Sequence, residues 1–233
     1  MDESVAIAKS LGISVVNFTW DGVYPKKRQW CLDHLDGLRE YVFFVDADEI
    51  VTADLVEKVK SLRGHRAGYF VQGCYMFDNK LLRYGMRNNK LCLIRHSEIQ
   101  FPVIDDLGIE GMGEIEGHYQ PVLKEGVQGT FGTLKAPLIH HAYDVNWHER
   151  HQRYARWQAA VEARKALPED VTMIRKIMKM VFGVAALRPA MAFLHSYVFK
   201  FGFLDGTAGY RFGLSRARYY RMVNANREKE RSA

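Results

Sequence analysis

The sequence predicts an α/β fold: a Rossmann-type mixed sheet that lacks its first strand or strands, followed by an α-helical C-terminal region. Three observations predict it. Tyr41-Val-Phe-Phe-Val45 is an apolar run that closes on Asp46-Ala-Asp-Glu49, as a buried parallel strand meeting a polar edge would read. Amphipathic helical stretches flank that run, giving the order (β)αβαβα. From Asn146 onward the pattern is almost wholly helical. The expected organisation is therefore an α/β unit over residues 1–145 and a basic, amphipathic helical region over 146–233.

The elements follow in order. Val5 to Leu11 has helical character and Gly12 stops it. Ile13-Ser-Val-Val-Asn-Phe-Thr19 is a β-branched strand with no visible partner strand before it. Pro25 suits a first helical turn and starts a helix over 26–38. The strand 41–46 follows. Thr52 N-caps a helix whose stripe is Leu55, Val56, Val59 and Leu62. From Gly68 the period shortens to strand-like runs at 69–77 and 91–94. Residues 98–135 read as a glycine-rich, substrate-binding loop region, and Leu138-Ile139 as a short strand before His140-His141. Helices are expected at 146–166, 171–186, 189–201 and 207–227.

Composition bounds the function. The 233 residues are 48% hydrophobic and 26% charged, ordinary values for a globular chain. Cys31, Cys74 and Cys92 are odd in number and scattered, which suits a reducing compartment and no structural metal. The net charge of +6 is uneven: Val171 to Ala233 holds twelve Lys/Arg against three acids, a net +9. Residues 1–170 hold 21 against 24, a net −3. The basic tail is compatible with nucleic acid, an anionic membrane or an anionic glycolipid. No apolar stretch reaches the roughly 20 residues of a membrane span. No phosphate-binding glycine loop, dinucleotide fingerprint, zinc pattern or nucleophile elbow is present, which argues against kinase, dehydrogenase and hydrolase chemistry.

The chemistry-bearing residues centre on Asp46 and Asp48. On an extended backbone two residues apart, both carboxylates lean to one side, where hard oxygen donors suit Mg²⁺ or Mn²⁺ carrying a phosphate. The alternative is a solvated turn whose acids favour the next helix N-terminus. His140 is a further metal-ligand candidate, and only one of the pair His140-His141 can face a given site. Glu116 is the candidate general base, with Asp105-Asp106 as rival. Lys27 and Arg28 oppose the helix dipole where they stand, and a nearby phosphate would explain them.

Together these pieces resemble the family 2 glycosyltransferases of the inverting GT-A type, most closely the bacterial group that builds lipopolysaccharide core and related surface glycans. Phe44-Val-Asp-Ala-Asp-Glu49 is similar to that family's DxD motif. Pro25-Lys-Lys-Arg-Gln-Trp30 resembles the segment before it. Glu116-Gly-His-Tyr-Gln-Pro121, His140-His-Ala-Tyr143 and Arg150-His-Gln-Arg-Tyr154 look like its acceptor half, and Gly202-Phe-Leu-Asp-Gly206 its C-terminal tail. The resemblance implies Asp46 and Asp48 on a metal-bound donor diphosphate, with Lys27 and Arg28 supporting the donor end and Asp48 part of the catalytic set. It implies a nucleotide diphosphate sugar donor and a glycan or glycolipid acceptor. The expected place is the cytoplasmic face of the inner membrane, held peripherally, with no nucleic-acid partner. It also implies an early strand, and a strand bearing the first nucleotide-binding aspartate, that would precede Met1. The other readings are a sugar nucleotidyltransferase and a non-catalytic chain that binds membranes or a partner.

Overall fold

A computed structural model describes residues 3–103, 106–109, 112, 120–141, 147–163 and 185–232. Its centre is a mixed sheet. In chain order the strands are β1 (Tyr41–Phe43), β2 (Glu49–Val51), β3 (Gly68–Phe77), β4 (Lys80–Leu81), β5 (Lys90–Arg95) and β8 (Phe131–His141). The spatial order is β1-β5-β3-β8-β2, with β4 turning back on the end of β3. β3 and β8 run parallel, and every other pairing in the sheet is antiparallel. A separate ribbon joins β6 (Ile99–Gln100) to β7 (Val122–Leu123).

This corrects the reading of residues 41–46 as a buried parallel strand. β1 is an antiparallel edge strand, paired with β5 on one side only and half-buried throughout. Its apolar run reflects packing of Tyr41, Phe43 and Phe44 against a core beneath the edge rather than burial on both faces. Residues 13–19 form no strand. Ile13, Val15 and Val16 stay exposed, because a β-branched run becomes a strand only when a partner supplies its ladder hydrogen bonds. The (β)αβαβα order is likewise not formed: the chain runs through two helices, then β1, β2, a third helix and β3, and the parallel pairing in the sheet is that of β3 with β8.

β8 is eleven residues long where the sequence predicts a short strand at Leu138-Ile139. Leu134, Ala136 and Leu138 alternate into the core at the period of a strand. Pro137 between them disguises it. The strand tolerates Pro137 because the register against β3 shifts there, between Val71 and Gln72, so the missing N–H falls at an irregularity.

Helices cover both faces. On one, α3 (Ala53–Lys60) inserts fully buried Leu55 among Tyr69, Val71, Leu93, Leu134 and Leu138. Thr52 caps it as expected, its Oγ1 accepting from Leu55 N at 3.3 Å while donating to the Pro137 carbonyl at 2.8 Å. On the other, α2 (Lys27–His34) contributes Leu32 to a core of Ala67, Leu91, Ile94, Ile99 and Phe101. The N-terminal α1 (Ser4–Ser10) buries none of its residues.

The described C-terminal residues are mostly helical; the expected helix over 171–186 lies almost wholly outside them. α4 (Trp147–Ala163) packs on α6 (Gly206–Ser232) through Ala155, Ala159 and Val223. The expected helix over 189–201 is α5 (Arg188–Leu194) followed by one π-helical turn, His195–Phe199. A 3₁₀ turn, Gly202–Asp205, then leads into α6. That turn is clamped to the sheet. The buried Asp205 carboxylate accepts from Arg83 N at 3.1 Å and Tyr84 N at 2.9 Å, and its carbonyl accepts from Lys80 Nζ at 2.7 Å. Two glycines permit the approach: a Cβ on Gly202 would lie 2.6 Å from Ser196 O, and one on Gly209 2.0 Å from Gly202 O.

Candidate functional site

The carboxylate cluster lies where β1 leaves the sheet and β2 enters it. Phe44 N still donates to Cys92 O at 2.8 Å, so the chain stays on the β5 edge until Val45. It then turns: Glu49 N donates to Asp46 O at 3.0 Å, closing residues 46–49 into a tight turn. The extended backbone that would aim Asp46 and Asp48 to one side is therefore absent. The two carboxylates diverge and acquire different partners.

Asp46 points to cations. Its Oδ1 accepts from Arg28 at 2.5 Å and its Oδ2 from Lys90 Nζ at 2.5 Å. Burial works to raise its pKa, but the charges and hydrogen bonds of Arg28 and Lys90 outweigh burial and hold it below the ordinary value. Lys90 also donates to Glu49 Oε1 at 2.6 Å, and Glu49 is only 1% exposed. The other Glu49 oxygen accepts from Asp46 N at 2.9 Å. Lys90, which the sequence reading passed over, is thus the hub of the cluster. Burial lowers its pKa and is overcome by the hydrogen bonds to Asp46 and Glu49, so the ammonium is held charged.

Asp48 faces the other way, towards β8. Glu49 of β2 pairs with His140 of β8, and His140 neighbours Tyr75 of β3. That register sets His140 Nδ1 3.4 Å from Asp48 Oδ1 and 3.8 Å from Glu49 Oε1. His140 is the main cause of the lowered Asp48 pKa, acting against partial burial. The contact is an electrostatic one, because Nδ1 is buried and makes no well-aligned hydrogen bond among the described residues. Tyr75 packs edge-on to the ring at 5.6 Å, and its own phenol is pushed up by burial. His141, the next residue, is exposed, as alternation along a strand requires.

No protein-family model matches the sequence, and no curated protein matches it. The site therefore has to be read from its own geometry.

The structure gathers Arg28, Asp46, Asp48 and His140 around one turn. Lys27, paired with Arg28 in the sequence reading, is exposed, while its neighbours turn inward. Lys26 is the buried member of that basic run: its Nζ lies 4.1 Å over the Trp20 ring, 3.6 Å from Asp106 and 3.3 Å from Met112 O. Asp106, half of the rival base pair, is thereby committed to Lys26. Glu116 and Asp105 lie outside the described residues.

Three carboxylates, Asp46, Asp48 and Glu49, face two fixed cations, Arg28 and Lys90, so the cluster carries one net negative charge when His140 is neutral. Among the described residues no three His, Cys, Asp or Glu side chains form a metal site by themselves. Asp48 and His140 are nonetheless a fitting pair of donors. The Asp48 side chain is 35% exposed, the His140 Nδ1 that makes no hydrogen bond among the described residues lies 3.4 Å from it, and a hard cation with few protein ligands completes its shell from phosphate and water. Asp46, with both oxygens ion-paired, fits the role of a positioning group better than that of a ligand. A cleft of about 690 Å³ lies elsewhere, between α5 and α6. Among the described residues no helix is long and apolar enough to cross a membrane.

Proposed function

We propose that the chain is a GT-A-type transferase of the family 2 kind, moving a sugar from a nucleotide diphosphate sugar to a hydroxyl of a glycan or lipid-linked acceptor with inversion. The observation that carries this reading is the part-exposed Asp48 beside the buried Nδ1 of His140, which makes no hydrogen bond among the described residues. A divalent cation, Mg²⁺ or Mn²⁺, held there would offset charge developing on a departing diphosphate. The residual negative charge of the cluster supports the same reading, since it attracts a divalent cation, which in turn attracts an anionic diphosphate.

The chain's own residues supply the rest. Arg28 and Lys90 fix Asp46, which in turn fixes the 46–49 turn through the bond from its N–H to Glu49. Asp48 is thereby held toward His140 instead of rotating into solvent. Tyr75 and the sheet behind it exclude water from the Nδ1 side, which strengthens electrostatics there. In this proposal Glu116 removes the acceptor proton and Lys27 meets the donor from the solvent side. The basic C-terminal helices draw the protein to anionic membrane, on the cytoplasmic face, where a lipid-borne acceptor sits.

The test is metal-dependent release of nucleoside diphosphate across a panel of nucleotide diphosphate sugars. Asp48→Asn and His140→Ala are both expected to remove metal-dependent donor binding measured by calorimetry, with far-ultraviolet dichroism unchanged. Retention of parental binding in Asp48→Asn would overturn the proposal, and release of pyrophosphate from a nucleoside triphosphate supplied with a sugar 1-phosphate, with no nucleoside diphosphate released from the sugar donors, would replace it with nucleotidyl transfer.

A further inference from the structure

The turn between α5 and α6 presents apolar side chains outward on a rigid base. Val198, Phe199, Phe201, Phe203 and Leu204 are 42, 62, 56, 44 and 54% exposed. Between them the chain alternates with residues that hold the turn from inside. Gly202 and Asp205 are buried, Gly85 N donates to Lys200 O at 2.8 Å, and the Asp205 carboxylate grips two amides of the β4 loop. Gly202 abuts Ser196 too closely for any side chain. The display is therefore built in and does not come from a frayed loop.

Phe201 adds a second observation. It sits at φ 59° in the left-handed region, where a bulky residue is strained and glycine is the ordinary choice. The strain stabilises nothing inside the fold, because the ring points out. It contacts Phe203 at 6.1 Å, and a chain of rings continues through Tyr197 and Tyr210 to Phe193, with neighbouring centroids 5.6–6.3 Å apart.

The charge around this tip selects the partner. Lys200 stands exposed between Phe199 and Phe201. Arg216 and Arg218 follow on α6, where Arg211 is already paired with Asp78 at 2.7 Å, and the single acid of residues 187–227, Asp205, is buried and consumed by backbone. Aromatic side chains flanking an exposed lysine, on a segment whose one acid is buried, suit the headgroup boundary of an anionic bilayer. A protein groove would match the rings but leave the cations without a reason.

We infer that the Phe199–Leu204 tip is a membrane anchor, its rings entering the interface of an anionic lipid surface while Lys200 meets the headgroups. The inference does not rest on the sugar-transfer reading, since none of the tip residues is among the partners of Asp48.

The test is sedimentation of the full chain with vesicles of phosphatidylcholine alone or mixed equally with phosphatidylglycerol. Binding to the mixed vesicles and weak binding to neutral ones is expected. Phe201→Gly is the decisive variant, because glycine relieves the φ strain while removing the ring. It should melt at or above the parental temperature yet partition at least about tenfold more weakly. Lys200→Gln should lose about fivefold, the contribution of one cation near an anionic surface. The inference is overturned if the parent ignores anionic vesicles, self-associating or not, or if Phe201→Gly sediments like the parent. Donor binding should be the same in Phe201→Gly and parent, which keeps failure of this inference separate from failure of the proposed activity.

Discussion

Replacing Lys90 with Met tests whether the cluster is held by charge. The Lys90 side chain is 15% exposed, and its Nζ serves two carboxylates, Asp46 at 2.5 Å and Glu49 at 2.6 Å. The two contacts differ in weight. Asp46 is more than a third exposed and keeps Arg28, so its loss is cushioned by solvent and by the remaining cation. Glu49 is 1% exposed and would keep only the Asp46 N–H and a distant His140. Leaving a buried carboxylate without its cation costs about 3–5 kcal/mol. Methionine matches the volume of the stem, so packing adds little. An expected loss near the lower bound, about 3 kcal/mol, lowers the melting temperature by roughly 6–12 °C for a chain of this size. Chemical denaturation of Lys90→Met, Glu49→Gln and the double variant forms the cycle. The double variant should recover much of the loss, because a neutral Gln beside Met leaves no uncompensated charge, with a coupling of about 2 kcal/mol. A single-variant cost below about 1 kcal/mol, or additive behaviour in the cycle, would refute the assignment of Lys90 as the hub.

Two further outcomes follow from the same geometry. Asp46 and Asp48 both have native pKa values below the usual 3.8. The native state therefore binds fewer protons than the unfolded chain between those values and 3.8, and stability rises with pH there. Their contribution is full above the unfolded value and is lost as pH falls through the native ones. Asp46→Asn should be less stable than the parent at neutral pH, with the gap closing in acid; a gap constant with pH in thermal melts would contradict this. Asp205→Ala removes the acceptor of two backbone amides in a buried turn, and should cost about 2–4 kcal/mol. Amide exchange should rise selectively at Arg83 and Tyr84, and unchanged protection there would show that the clamp does not hold the loop.

How far the sequence could be read depended on whether the signal was local. Thr52 as a cap, the Leu55 stripe and the long final helix are properties of neighbouring residues, and each was legible. The strand at 41–46 was misassigned in its pairing because an apolar run looks the same on a half-buried edge as between two parallel neighbours. β8 was shortened because Pro137 speaks against a strand unless the partner offers a register shift, which lies some sixty residues away in β3. Lys90 was missed for a similar reason. A lysine after Asn88-Asn89 is an ordinary turn residue until Asp46 and Glu49 are brought to it.

The sequence alone determined which side chains are available for chemistry: the acids of Asp46-Ala-Asp-Glu49, the paired histidines, the basic tail. It also determined the mixed α/β character and the helical C-terminal region, since propensity, capping and periodicity act over a few residues. The tertiary structure decided how those groups are shared out. A single hydrogen-bonded turn separates Asp46 from Asp48, assigning one to Arg28 and Lys90 and the other to His140. That division depends on strand register and on cations far apart in the chain, and electrostatic partners of this kind exist only once the backbone has brought them together.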